Sequence, residues 1–162
     1  MPIPEFIAAL REHVGTAPLW LPAVAAVVVR SGAGSDGTDE VLMVRRADTG
    51  AWTPVTGILD PGEEPAVGAE REVLEETGVV SVAERLVWAH ATDEIVFENG
   101  DRSAFLSLCF RCSWVSGEPY AADDESSDAR WFSVDQVPEL EADQRRRVDL
   151  ALANAPEAVF VR

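Results

Sequence analysis

The chain has 162 residues, of which 47% are hydrophobic, and a formal net charge of −16 at pH 7. That length suits a single domain over residues 1–162 with its own core, while the charge works against polymeric DNA or RNA, whose phosphates are held by cationic side chains. With no membrane-length apolar run, no charged-then-apolar leader and only two cysteines, the expectation is a soluble cytoplasmic protein without a disulfide framework or a membrane partner.

In chain order, residues about 3–14 predict a helix, with Ile7, Leu10 and Val14 at i, i+3 and i+7. "APLWLP" follows as an extended, proline-bounded connector. Ala23–Arg30 is apolar enough to read as a strand buried on both faces, and a loop rich in Gly, Ser and Asp separates it from a second strand, Val41–Arg46. Pro65 suits a first helical position and Gly78 the residue just past a helix end, so a helix is expected from about Pro65 to Thr77. Strands are expected near Arg85–Ala91 and Ile95–Glu98, with a hairpin turn at Asn99-Gly100-Asp101. Ser103–Val115 largely alternates, with Leu106, Leu108, Phe110, Cys112 and Trp114 on one face. An acidic loop, a strand over "ARWFSV" and an Arg-rich helix near Glu141–Asn154 complete the pattern. Mixed strands with a few helices imply an α/β or α+β fold, a sheet sandwiched between helices.

The segment "GILDPGEEPAVGAEREVLEETGV" (Gly57–Val79) adds local negative charge to an already anionic chain. At about 100° per residue, Glu72, Glu75 and Glu76 share one helix face, and Ala66, Ala69, Val73 and Thr77 form an adjoining packing face. Like charges at i, i+3 and i, i+4 destabilise a helix by roughly 0.2–0.5 kcal/mol per pair. A solvated charged face tolerates that cost; a hard divalent cation would turn the repulsion into coordination.

The segment decides between those readings. Gly57, Glu63, Arg71-Glu72, Val73, Glu75-Glu76, Gly78 and Val79 match the signature box of the Nudix hydrolases without exception. Seven fixed identities coincide by chance at a given position with a probability on the order of 10⁻⁹. The chain therefore resembles that family, and the likeness extends to "VLMVRRADTGAWTPVTG" before the box and "ARWFSVDQVP" after it, about Pro22–Pro138, leaving both end helices as additions. Many members carry Pro-Gly-Gly where this chain has Val55-Thr56-Gly57.

The resemblance implies an α/β/α sandwich with a mixed sheet and hydrolysis of a nucleoside diphosphate linked to another moiety, such as a nucleoside triphosphate, nucleotide sugar or dinucleoside polyphosphate. It implies Glu72, Glu75 and Glu76 as Mg²⁺ or Mn²⁺ ligands, the Gly57 carbonyl as a further one, and Arg71 as the cation that orients a glutamate. Glu63 is a helix cap, a metal ligand or a structural acid. The water-activating base is either Glu72 or an acid of the loop before Trp131, where Glu125 has the longest reach and Asp123 and Asp124 are its rivals. Many relatives are dimers, so a homodimer is expected. Alternatives of other classes are a non-catalytic nucleotide sensor, which would tend to carry an eroded box, and an isopentenyl diphosphate-type isomerase, which would need a catalytic cysteine in a matching motif.

Arg45 and Arg46 alternate to opposite faces, so one of them is expected to hold a substrate phosphate; the family resemblance implies Arg46. Trp20, Trp52 and Phe97 are candidates to stack on a base, or are core and surface aromatics. The segment "ATDEIVFENG" lacks the proline associated with ADP-ribose enzymes, and Phe97 lies near a tyrosine position of dinucleoside polyphosphate enzymes. Cys109 and Cys112 point to opposite faces of one strand, which argues against a zinc or redox pair. His13 and His90 lack metal-ligand spacing.

Overall fold

A computed structural model describes residues 4–161. Helix α1 (Glu5–Val14) leads into strand β1 (Leu19–Arg30), and β2 (Glu40–Arg46), β3 (Trp52–Thr53) and β4 (Val55–Ile58) precede helix α2 (Pro65–Thr77). Strands β5 (Val80–Ala91), β6 (Ile95–Val96), β7 (Arg102–Ser116) and β8 (Ser126–Ser133) follow, then helix α3 (Ala142–Ala153) and β9 (Val159–Phe160). They build one mixed sheet whose main path runs β3-β2-β1-β7-β5-β9. The fold is α+β, as the pattern of elements predicts.

The unbroken apolar run in β1 is explained by its two covers. Val24, Ala26 and Val28 pack toward Ala69 and Val73 of α2. Ala25, Val27 and Val29 pack toward Val148 and Ala151 of α3. Burying a valine contributes about 1.5–3 kcal/mol, so β1 anchors both layers. The same alternation sends Cys112 to the α2 side and Cys109 to the α3 side. Both thiols are free and buried, and burial pushes each up to about 12, which leaves them unreactive.

Helix α2 has the bounds its punctuation predicts. Pro65 occupies the first turn, and Gly78 closes the helix in the left-handed region (φ 69°), its N–H donating to the Leu74 carbonyl. Helix α1 spans Glu5–Val14, and the expected start at residue 3 lies outside the described residues. Only Ile7 of its stripe is buried; Leu10 and Val14 are each 42% exposed. No helix among the described residues is long and apolar enough to cross a membrane.

Several elements differ from expectation. The supposed connector is the first third of β1, paired in parallel with β7 from Leu19↔Ser103 onward. Pro22 is tolerated because it lies where the β4 ladder ends: its carbonyl accepts the Leu59 N–H, but it has no N–H to return. Strand β5 begins five residues early, at Val80, and reaches that length through register shifts against β7. Only Ile95 and Val96 pair in β6, so Phe97 belongs to the turn, where its N–H bonds the Asp101 carbonyl.

The unanticipated β3 and β4 matter most. Strands β1 and β2 pair only at Val29↔Val41 and Arg30↔Glu40. Beyond that point β2 pairs with β3 (Val44↔Thr53) and β1 with β4 (Val24↔Gly57). Residues 52–58 therefore fill the wedge where β1 and β2 diverge, and they deliver Gly57 to the side of the sheet covered by α2.

Candidate active site

Gly57 and Glu72 meet in that wedge. A Cβ built at Gly57 would lie 2.5 Å from Glu72 Cγ and closer still to its carboxyl group. Only a residue without a side chain lets Glu72 lie against the β4 backbone. The close approach, rather than a special backbone angle, is what the glycine supplies.

Arg71 organises the acids around it. Its Nε and Nη2 donate to the two oxygens of Glu63 at 2.8 and 2.9 Å, and its Nη1 reaches Glu72 at 3.0 Å and Glu75 at 2.9 Å. Glu63 also accepts the Asp60 N–H at 3.1 Å. Clamped in this way, with the guanidinium holding its carboxyl below the usual range, Glu63 is a brace for Arg71. It caps no helix N–H, since α2 has no side-chain cap.

Glu76 is different. It is 5% exposed and Arg71 does not touch it; its carboxylate accepts only the Ser126 hydroxyl, at 3.2 Å, among the described residues. Burial, reinforced by Glu125, Glu72 and Asp123, pushes its acid up to about 8. Burial likewise raises Glu72 to about 7, against the opposing pull of Arg71. Glu125 is also raised, by burial first and Asp123 second.

Beside Glu76 lies a cavity of about 300 Å³, lined among others by Arg46, Asp48, Thr53, Glu125 and Ser126. Arg46 and not Arg45 faces it: Arg45 is exposed and donates to the Gly50 carbonyl at 3.1 Å. Arg46 is paired with Asp48, its Nε 2.9 Å from Oδ1. Glu125 is brought to the cavity by a backbone bond from the Ala47 N–H to its carbonyl, and the Asp123 carboxylate accepts the Glu125 N–H.

The aromatic candidates do not line this cavity. Trp52 packs edge-on against Phe132 (centroids 5.0 Å apart) on the α3 side. Phe97 and Trp20 are 41% and 58% exposed. Ser126, Thr53 and Asp48 belong to the cavity although no sequence signal singled them out; the adjacency of Ser126 to Glu125 is the one hint.

The donor set suits a hard divalent cation: carboxylates at i, i+3 and i+4, with Glu76 buried, Glu72 half-buried, both carrying raised affinities for a proton, and a backbone carbonyl strand alongside. Among the described residues no three acids converge into a ready cage, because Arg71 holds Glu72 and Glu75 while Ser126 holds Glu76.

A mixed sheet between helices, with an arginine-braced acidic helix beside a cavity that holds an arginine, suits the binding of a phosphorylated ligand. The NUDIX domain family matches residues 20–151, and the chain belongs to that family: it is a Nudix hydrolase of the pyrophosphohydrolase type. It is 36% identical over 132 residues to a MutT-like protein of Streptomyces ambofaciens, covering 82% of this chain and 76% of that one. It is 37% identical over 120 residues to the NAD-capped RNA hydrolase NudC of Pseudomonas aeruginosa, covering 71% of this chain but 40% of NudC. The fold is shared with a UDP-X diphosphatase (TM-score 0.64, 20% identity, 98% of this chain and 74% of that chain). It is shared too with an ADP-ribose pyrophosphatase from Streptococcus suis (TM-score 0.62, 19% identity, 86% and 96%).

Proposed function

We propose that this enzyme uses Mg²⁺ or Mn²⁺ to hydrolyse the diphosphate bond of a small nucleotide in which a nucleoside diphosphate is linked to another moiety. Nucleoside triphosphates, nucleotide sugars and dinucleoside polyphosphates are the substrate classes. The observation that carries this reading is the two-signed cavity, with Glu76 and Glu125 on its walls and Arg46 among them. Glu72, Glu75 and Glu76, with the Gly57 carbonyl, would hold the cation. When bound, the ion neutralises phosphoryl oxygens and favours attack by water at phosphorus. Arg71 keeps the box acids in register, and Arg46 exchanges Asp48 for a substrate phosphate. The Glu125 carboxylate takes a proton from the attacking water, with Glu72 as the rival base.

A cavity of about 300 Å³ in a chain of charge −16 suits a small nucleotide better than a nucleic-acid polymer. We read residues 1–162 as one domain acting in the cytoplasm as a homodimer; the exposed Leu10, Val14 and Trp20 support the assembly.

The test is a substrate panel with product identification, each member assayed with Mg²⁺, Mn²⁺ and excess chelator. It includes nucleoside triphosphates, UDP-sugars, ADP-ribose, dinucleoside polyphosphates and NAD-capped RNA. Metal-dependent release of a nucleoside monophosphate or phosphate from a small nucleotide is expected. Full activity in chelator refutes the metal, turnover of the capped RNA alone refutes the substrate class, and tight nucleotide binding without turnover would instead identify a sensor.

A further inference from the structure

Strand β8 carries an irregularity with a purpose. Along β2 it pairs Leu42↔Trp131, Val44↔Ala129 and Arg45↔Asp128, but then Arg46↔Ser126, so that Ser127 is the extra residue of a bulge. Trp131 and Ala129 lie on the α2 side of the sheet. Unbroken alternation would place Ser127 on that side and turn Ser126 away. The bulge reverses this: Ser126 shares the face of Arg46, enters the cavity and is 5% exposed, while Ser127 is exposed and donates to the Arg45 carbonyl. Bulges gather next to active sites because they re-aim one side chain.

The re-aimed group meets the one box acid that the arginine leaves alone. Arg71 donates to Glu63, Glu72 and Glu75. Glu76 has the Ser126 hydroxyl as its side-chain partner, at 3.2 Å. The other tie to Glu76 is through its backbone carbonyl, which accepts the Ala122 N–H of the same segment that leads into Ser126. The chain from Ala122 to Ser126 thus grips Glu76 at both ends of the residue, carbonyl and carboxylate.

We propose that Ser126 is a positioning residue for the metal site: its hydroxyl fixes the Glu76 carboxylate in the cavity so that it is presented to the divalent cation. The inference rests on the reading of Glu76 as a metal ligand. A hydroxyl suits the task because it donates without bringing a positive charge, which would compete with the ion. It can also rotate to follow the carboxylate. Partners of this kind orient metal ligands, and their loss typically weakens metal affinity by about 10–100-fold.

The test measures Mn²⁺ binding to the substrate-free, full-length protein by calorimetry or electron paramagnetic resonance. Ser126→Ala is expected to weaken binding by about 10–100-fold, and Ser126→Thr, which keeps the hydroxyl, to restore most of it. Saturating Mn²⁺ should return the kcat of Ser126→Ala toward the wild-type value. In the Glu76→Gln background Ser126→Ala should produce no further loss, because the partner it serves is already altered. Wild-type Mn²⁺ affinity in Ser126→Ala, beside a clear loss in Glu76→Gln, overturns the proposal and leaves the metal reading intact. Additive losses in the double variant overturn it equally. Unchanged affinity in Glu76→Gln would mean that the ligand reading itself had failed, and the proposal with it. If Ser126→Ala lowers the melting temperature, Ser126→Cys, of similar volume and a weak donor, supplies the same comparison.

Discussion

Gly57→Ala separates a structural from a functional role for the tightest approach in the site. The added Cβ would lie 2.5 Å from Glu72 Cγ, whereas carbon atoms rest at about 3.5–4.0 Å. Relief therefore requires a displacement of about 1 Å at least. The β4 backbone is held by four residue pairs to β1, so the side chain of Glu72 gives way. Gly57 is not in the left-handed region, and alanine in a strand is no worse than glycine. The stability cost is then about 0.5–1.5 kcal/mol, that of an off-rotamer side chain. Function is more sensitive, because a misplacement of about 1 Å in a reacting constellation costs on the order of 10²-fold in rate. A folded protein with a melting temperature near wild type and a kcat lower by about 10² is expected, measured by metal-dependent product release on the best substrate of the panel. A variant with nearly wild-type kcat would refute the argument that Glu72 must lie against Gly57. Loss of the fold would refute the claim that the side chain yields before the backbone.

Glu125→Gln should lower kcat by about 10²–10⁴-fold, the usual value of a positioned base, with little change in melting temperature or Mn²⁺ affinity; a loss far below that range returns the role to Glu72. Glu72 and Glu76 are raised by burial to about 7 and about 8 from 4.5. Groups shifted in that direction contribute stability that is fully present below pH 4.5 and is lost as pH rises through 7 to 8. In chelator the melting temperature should accordingly fall as pH rises from 4.5 to about 8, and Glu76→Gln should flatten the slope; a flat or rising wild-type profile contradicts the burial argument. Because a cation must displace these protons, added Mn²⁺ should raise the melting temperature more at pH 8 than at pH 6. Light scattering at micromolar concentration should give a dimer mass, and a monomer mass would refute the assembly.

What the sequence by itself determined is whatever depends on near neighbours. The bounds of α2 follow from Pro65 and Gly78, whose backbone preferences act within a residue or two. The shared face of Glu72, Glu75 and Glu76 follows from helical period, and the separation of Cys109 from Cys112 from strand period. The box identities carried the family. Tertiary structure decided the rest, because each remaining question turned on a partner distant along the chain. That Glu63 braces Arg71 and does not cap the helix was decided by the eight-residue reach between them. Trp52 was indistinguishable from a base-stacking residue until β3 turned it toward Phe132 on the α3 side. Strands β3 and β4 were invisible because two and four residues carry no periodicity; they exist only where β1 and β2 part. Glu76 looks like its neighbours in the sequence, yet of Glu63, Glu72, Glu75 and Glu76 it alone lines the cavity. Its burial comes from the β8 segment, fifty residues on, whose bulge turns Ser126 toward it.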